Sequence, residues 1–553
     1  MSRNQPAWLV TTEYRGTLSP AELDRLINRE GIRHALTRRE LPSRTVTLLK
    51  TALPELPSLY LKEYRFPTLT ARLRNMFRSP ADREWHTALR LAERGISTFE
   101  PLAVGNLRRF GLPVASYLVS REIDHARPLK DYLLDWEHRG DPPGWKAGQS
   151  IICSLAGFVR EIHRRGILHR DFHWENILID ARDLSNIRWH LMDLHRIQLK
   201  RRLHDQERIA NLASLGTAFR FTTRKAARLR FLMQYAQGDE RWKTQTGHFA
   251  RRIENRSTRM LKKNWNRKAR RCTKGNRHFT SFSSPVCRGW LGRAFSSPEL
   301  MQLLHDPGRA FSAPGRRMIK NSNTTSSCIL PTMIADATAG IFIKRYNYQN
   351  ALYALKYLVR TSRGKRTWKA AHALLARGVP TPEPVAYGEK RKRRMLLESF
   401  FVARALAHAI PLSALFPEAG PGARDRYPVD KADLIRRTAL LVRMMHERGI
   451  WHRDLKAGNI LAEPMPGGGM QLYLTDLDGI RVKNTVRRVE RIRDLARLNR
   501  SLIASPALSV RDRHCFLQWY LGAGNRGDKN LRSYWEAIRR ETTKKLAKVK
   551  KNL

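Results

Sequence analysis

Two aspartates, Asp171 and Asp454, each close a His-Arg-Asp triplet, and each is followed five positions later by an asparagine, Asn176 or Asn459. A carboxylate and an amide oxygen one short loop apart suit phosphoryl transfer. The carboxylate accepts the proton of an attacking hydroxyl, and the amide oxygen holds a metal ion on the phosphates. Farther along, the strand-flanked Asp193 and Asp476 offer a second metal-binding carboxylate. A lone aspartate at a strand end is ordinarily a turn or cap residue; base, amide and second carboxylate in one order, twice, point to chemistry instead.

This order is the catalytic-loop pattern of protein kinases. It makes Asp171 and Asp454 the expected bases, and Asn176, Asp193, Asn459 and Asp476 the expected ligands of two Mg²⁺ ions per site, with ATP as phosphoryl donor. The loops also carry His169, Arg170 and His173 in the first copy and His452, Arg453 and Lys456 in the second. Kinases acting on hydroxyls often place lysine where Lys456 and His173 stand, to meet the transferred phosphate. Lys62 and Lys344 lie on apolar strand-like runs, where kinases hold the lysine that contacts the α- and β-phosphates. Glu84 on the following helix can pair with Lys62, but the second copy has Thr367 in that register. Another acid such as Glu383, a different hold on Lys344, or an impaired site are the alternatives. A glycine-rich loop is missing: Thr37 to Lys50 has no glycine, and Asn321 to Pro331 offers Ser, Thr and Asn. Backbone amides, helped by serine hydroxyls, can still cover the phosphates.

An internal repeat must position these residues. The run from Ser79 to Trp85 returns from Ser362 to Trp368, Gly166 to Asp171 returns as Gly449 to Asp454, and Glu207-Arg208-Ile209 returns as Glu490-Arg491-Ile492, all 283 residues on. In each copy a strand-like run leads into a helical pattern ending at Gly95 or Gly378, and the later half is mostly helical. The expected class is α+β, as two tandem bilobal protein-kinase-like domains over 1–238 and 313–538. Between them lies a basic linker, 239–312, and after them a basic tail, 539–553.

At 553 residues the chain has room for two such domains. Lys and Arg number 104 against 49 Asp and Glu, a net charge of +55, which implies an anionic partner. Residues 241–293 hold sixteen Lys or Arg and a single acid, Glu254. Within them Ile253, Leu261, Trp265, Ala269 and Cys272 fall near helical spacing, which fits a membrane-surface helix, a solvated linker, or the opening of the second domain. Five scattered cysteines, with no zinc-like spacing, suit a reducing cytoplasm. Neither a signal-peptide pattern nor an apolar run of about 18 residues is present.

Thirteen residues separate Asp193 from Glu207, and thirteen separate Asp476 from Glu490, with no Ala-Pro-Glu closing either stretch. That is short for the activation segment with which protein kinases hold a peptide, so a compact, non-peptide acceptor is favoured. The Arg-Glu-Trp helix, the Arg-Gly-Ile-Ser-Thr-Phe-Glu-Pro turn from Arg94, the His-Arg-Asp loops running into Asn-Ile-Leu, and Asp-Leu followed by Glu-Arg-Ile resemble the lipopolysaccharide kinases that phosphorylate Kdo or heptose. The resemblance covers roughly residues 55–235 and 315–525. It implies an ATP- and Mg²⁺-dependent cytoplasmic enzyme at the inner face of the bacterial inner membrane, acting on lipopolysaccharide core or lipid A acceptors. The basic excess suits such anionic surfaces. An atypical Ser/Thr protein kinase is one rival reading, and a pseudokinase scaffold or nucleic-acid binder is another. No base-reading nucleic-acid motif is present.

Overall fold

The computed structural model describes residues 5–28, 35–41, 44–51, 55–139, 145–334, 337–348, 357, 360–392, 395–417, 430–465, 468–522 and 529–550. The chain divides into two compact units, Met1–Leu261 and Lys262–Leu553.

The first unit begins with an antiparallel sheet of β1 (Ala7–Val10), β2 (Ala35–Leu41), β3 (Arg44–Lys50), β4 (Ser58–Arg65), β5 (Pro101–Arg109) and β6 (Leu112–Arg121), in the order 1-5-6-4-3-2. Alternation along β4 splits its side chains between the faces. Leu59 and Leu61 join one core with Leu102 and Val119, while Tyr64 joins the other with Trp85 and Leu118. Lys62 is two residues from Tyr64, on the face that meets the helix Pro80–Glu93. That helix is started by a capping box, Ser79 Oγ accepting from Asp82 N and Asp82 from Ser79 N, with Pro80 in its first turn. Ala81, Trp85, Ala88 and Leu91 are buried along one stripe, with the larger side chains each contributing roughly 1.5–3 kcal/mol.

The helical lobe follows. β7 (Arg127–Pro128) precedes the helices Leu129–Arg139 and Trp145–Arg164, and Ile151, Leu155, Val159 and Ile162 of the second are buried at intervals of three or four. Next come β8 (Ile167–His169), β9 (Ile177–Asp180), β10 (Arg188–Leu191) and β11 (Ile197–Leu199), then the helices Asp205–Phe219 and Lys225–Tyr235.

The second unit repeats this plan. Its antiparallel sheet holds β12 (Phe279–Ser283), β13 (Arg288–Gly292), β14 (Arg317–Asn321), β15 (Thr325–Ile334), β16 (Ala337–Asn347), β17 (Pro384–Lys392) and β18 (Met395–Arg404), ordered 12-13-17-18-16-15-14. The helix Arg363–Ala376 is capped by Ser362 and buries Thr367, Trp368, Ala371 and Leu374. Its lobe contains β19 (Ile410–Pro411), the helix Lys431–Glu447, β20 (Ile450–Trp451), β21 (Ile460–Pro464), β22 (Met470–Leu474), β23 (Arg481–Val482) and the helices Arg488–Arg500, Val510–Leu521 and Lys529–Lys550. Both units thus have the expected strand-rich small lobe and helical large lobe.

The stretch 239–312, expected as a linker, is built into the units. Trp242 stacks on Phe249 at 4.0 Å between ring centroids in the first unit's core. β12 and β13 extend the second sheet, and Leu300 and Leu304 pack beneath it. Ile253 packs against the first core and Cys272 is buried in the second, so these two of the five apolar residues that suggested a membrane-surface helix serve protein interiors. Interleaved Arg and Lys hid those core positions. The basic tail likewise begins as the final turns of the helix Lys529–Lys550, where Thr542 is buried; residues 551–553 lie outside the described residues.

Candidate active site

Two antiparallel strand pairs flank the catalytic-loop residues of the first unit. β8 pairs with β11 and β9 with β10, and the chain enters through Gly166 at φ 72°. A Cβ there would lie 2.1 Å from the Lys200 carbonyl oxygen, so only glycine allows this close approach. Gly449 repeats the device, 2.3 Å from the Lys483 carbonyl oxygen.

His169 is buried and donates from Nε2 to the Met192 carbonyl at 3.0 Å, which leaves Nδ1 to accept from Asp171 N at 3.1 Å. Burial holds its pKa below the ordinary histidine value, so it acts as a neutral strut. Asn176 Nδ2 donates to the Asp171 carbonyl at 2.9 Å, which orients the amide and keeps Oδ1 for a ligand. Asp193 sits in the left-handed region at φ 59°, and Asp476 repeats this at φ 55°. Asp171 is about two-fifths exposed, with His173 Nε2 at 3.6 Å and Arg196 Nη1 at 3.5 Å.

The predicted Lys62–Glu84 pair is formed at 2.7 Å, with Glu84 fully buried. Tyr64 donates its hydroxyl to the same carboxylate at 2.7 Å. His195, which sequence reasoning missed, presents Nδ1 to Glu84 at 3.3 Å and to Asp193 at 3.0 Å. Burial alone would raise the Glu84 pKa, but Lys62 and His195 outweigh it and hold it below the usual carboxylate value. Burial likewise opposes the charge on His195, yet the two carboxylates raise its pKa. Asp193 is held far below the carboxylate range despite burial, by His195 and by Arg44, whose Nη1 lies 2.5 Å away. Arg44 projects from β3, the strand that leaves the glycine-free hairpin. Residues 42 and 43 of that hairpin lie outside the described residues.

The second unit reaches a comparable arrangement by other means. Lys344 Nζ contacts Asp476 Oδ1 at 2.5 Å. Thr367, in the place of Glu84, shares a hydrogen bond with the Tyr346 hydroxyl at 3.0 Å. Lys344 is thus held differently from Lys62, by the metal-site aspartate itself, while Asp478, in the place of His195, accepts from Arg363 Nε at 2.8 Å. Glu383, the alternative acid expected from sequence, is exposed on the way into β17, and its backbone carbonyl accepts from Arg404 N. Asn459 Nδ2 donates to the Asp454 carbonyl at 2.9 Å, and His452 Nε2 to the Thr475 carbonyl at 3.0 Å, as in the first unit. Asp454 has Lys456 at 3.6 Å and Arg497 at 3.8 Å. In the glycine-free hairpin here, Ser322 closes the turn by hydrogen bonds with Thr325.

The loops are anchored from below by residues with no obvious sequence signal apart from the repeat. Asn211 Oδ1 accepts from His169 N at 3.3 Å and Nδ2 donates to the His169 carbonyl at 2.9 Å. At the matching position Asp494 accepts from His452 N and Arg453 N, each at 3.0 Å. Arg453 takes a left-handed φ of 72°, which Arg170 does not. Buried His163 and His446 complete the anchors, bonded to Tyr235 at 2.7 Å and Tyr520 at 2.8 Å. Burial lowers the His163 pKa to about 3, so it stays neutral.

Asn176 with Asp193, and Asn459 with Asp476, are all-oxygen donor sets, which fit Mg²⁺. Each asparagine is already oriented through its amide nitrogen. Arg44 and Lys344 are the cations now paired with the two aspartates.

Residues 58–235 and 346–520 match the family model described as "Lipopolysaccharide kinase (Kdo/WaaP) family". A lipopolysaccharide core heptose(I) kinase WaaP of Escherichia coli K12 is 29% identical over 167 residues, 29% of this chain and 62% of that protein. Its namesake from Pseudomonas aeruginosa is 28% identical over 159 residues, 28% of this chain and 59% of that protein. The chain therefore matches somewhat under two thirds of the length of these relatives. Among solved structures, "WaaP in complex with acyl carrier protein" aligns with 45% of this chain and 99% of that one at 21% identity and a TM-score of 0.33. A BubR1 kinase domain aligns with 31% of this chain and 49% of that one at 15% identity and a TM-score of 0.23.

Proposed function

The chain belongs to the lipopolysaccharide kinase (Kdo/WaaP) family, and we propose that it transfers the γ-phosphoryl group of ATP to a heptose or Kdo hydroxyl of the lipopolysaccharide inner core. The observation that carries this reading is the buried Lys62–Glu84 pair, linked through His195 to Asp193, in the same unit as the half-exposed Asp171. Lys62, fixed by Glu84, meets the α- and β-phosphates. Asp171 takes the proton of the sugar hydroxyl as its oxygen bonds to the γ-phosphorus, the bond to the β–γ bridging oxygen breaks, and ADP leaves. Mg²⁺, held by Asn176 and Asp193, or by Asn459 and Asp476, would neutralise phosphate charge. His173 and Lys456 stand beside the two bases, each 3.6 Å from the aspartate, and are read as contacts for the transferred phosphate.

The second unit is read as a further catalytic centre, with Asp454 as base and Lys344 as phosphate contact. Each unit is read as one kinase-like domain, with most of the stretch once expected as a linker divided between them. The short run from Asp193 to the helix Asp205–Phe219 supports a compact acceptor over a peptide. Among the described residues no helix is long and apolar enough to cross a membrane, and the net charge of +55 supports work at an anionic surface, the inner face of the inner membrane.

Purified protein supplied with labelled ATP, a deacylated core oligosaccharide and a generic protein tests the acceptor class. Label is expected on the oligosaccharide. Label confined to protein would identify a protein kinase instead.

A further inference from the structure

We infer that the small lobe of the first unit carries a membrane-docking face, centred on Phe77 and Phe110, that seats on an anionic lipid bilayer. Phe110 forms the tip of the β5–β6 hairpin, between the paired residues Arg109 and Leu112, and it is fully exposed. Its φ is 51°, followed by Gly111 at 76°, so both turn residues are left-handed. Asparagine or glycine suits such a turn, and a bulky aromatic residue is strained there. A fully exposed ring gains nothing from the fold in return. Strain kept without a packing reward points to function.

A second apolar cluster adjoins the tip. Phe77 is 87% exposed, and Leu69 and Leu73, one helical turn apart on Leu69–Arg74, are 61% and 51% exposed. Arg108 ties the two segments together, donating to the Gly111 carbonyl at 3.0 Å and the Met76 carbonyl at 2.8 Å. Residues 66–79 and 107–112 contain five arginines and no acid. Arg74, Arg78 and Arg109 are exposed among the apolar residues. Protruding apolar side chains on two arginine-bearing segments without acids of their own, with Asp82 engaged by Ser79 and Asn106 at their border, match a bilayer with anionic headgroups, where rings enter the interface and guanidinium groups meet phosphates. A protein partner or a second copy would have to supply a matching acidic, apolar pocket.

The inference rests on the proposed work at an anionic membrane surface, but its test is separable from phosphoryl transfer, because bilayer binding consumes no ATP. The test is flotation of the full chain with vesicles of phosphatidylcholine and phosphatidylglycerol in equal parts, at low salt and at about 1 M salt, where the Debye length is about 3 Å and the general basic charge is screened. Wild-type protein should stay bound at high salt. The variant Phe77→Ser/Phe110→Asn should bind at least tenfold more weakly there, with an unfolding temperature unchanged or raised, since asparagine relieves the turn. Equal binding by both proteins, complete release of wild type at high salt, or a lowered unfolding temperature in the variant would overturn the inference. So would a variant that binds like wild type but has lost self-association in light scattering, which would mark a face between copies.

Discussion

Arg363 Nη2 lies 2.7 Å from Asp478 Oδ2, and this pair reverses the polarity of the Glu84–His195 contact of the first unit, with Asp478 in the register of His195 and Arg363 one helical turn before the register of Glu84. There the acid stands on the helix and the cation on the turn after Asp193; here the cation stands on the helix and the acid on the turn after Asp476. Both join the helix that follows the strand of Lys62 or Lys344 to the turn after Asp193 or Asp476.

Asp478→Asn should therefore impair the second centre. Measured in an Asp171→Asn background, the KM for ATP should rise by about tenfold, with a smaller change in kcat. Transplanting the first arrangement, Thr367→Glu with Asp478→His, should recover most of the loss. Thr367→Glu alone, which sets a second acid beside Asp478, should not. An unchanged KM in Asp478→Asn would remove Asp478 from the account.

In the first unit, Glu84→Gln takes from buried Lys62 the carboxylate 2.7 Å from it. Breaking one side of such a pair costs about 3–5 kcal/mol. Denaturant unfolding should show a loss of this order, and ATP turnover in an Asp454→Asn background should fall at least a hundredfold. A loss below about 1 kcal/mol would mean the pair is effectively solvent-screened.

His195 gives this unit a pH signature. Its folded pKa is raised above the ordinary value, so its contribution to stability is fully present below about pH 6.5 and is lost as pH rises through the folded pKa. Glu84 and Asp193 have lowered values; their contribution is present above the ordinary carboxylate range and is lost as pH falls toward the depressed values. Thermal unfolding from pH 6 to 9 should show an alkaline decline in wild type that is reduced in His195→Gln. Parallel curves would show that the imidazole does not bridge the carboxylates in solution.

Asp494 and Asn211 anchor the two loops from the same register position, Asp494 by accepting from His452 N and Arg453 N, and Asn211 by accepting from His169 N and donating to the His169 carbonyl. Asp494→Asn should keep second-centre kcat within about threefold, because asparagine already does this in the first unit, whereas Asp494→Ala should lower it by at least tenfold. If Asn and Ala are equally damaging, the anchor depends on charge and the two loops are not equivalent.

Much of this site was legible from spacing alone. The His-Arg-Asp loops, Asp193, Asp476 and Lys62 with Glu84 are local or repeat-anchored patterns, and the 283-residue offset located the second set. The Arg363–Asp478 pair was not legible, because its members are 115 residues apart and replace the expected residues at neither of the same positions. Arg44 was hidden for a similar reason: it reaches Asp193 across 149 residues, from a hairpin read only for its missing glycine. The stretch 239–312 misled because core residues such as Trp242, Phe249 and Cys272 are interleaved with Arg and Lys, so composition outweighed periodicity.

The central claim, phosphoryl transfer to inner-core sugars at Asp171 and Asp454, is tested most directly by mass spectrometry of core oligosaccharide from cells lacking their own core kinase and expressing this chain. Wild-type protein should add phosphate to heptose or Kdo. The Asp171→Asn/Asp454→Asn variant should add none, in keeping with the factor of about 10²–10⁴ carried by a general base. Core phosphorylated equally by the wild type and the double variant would contradict the account.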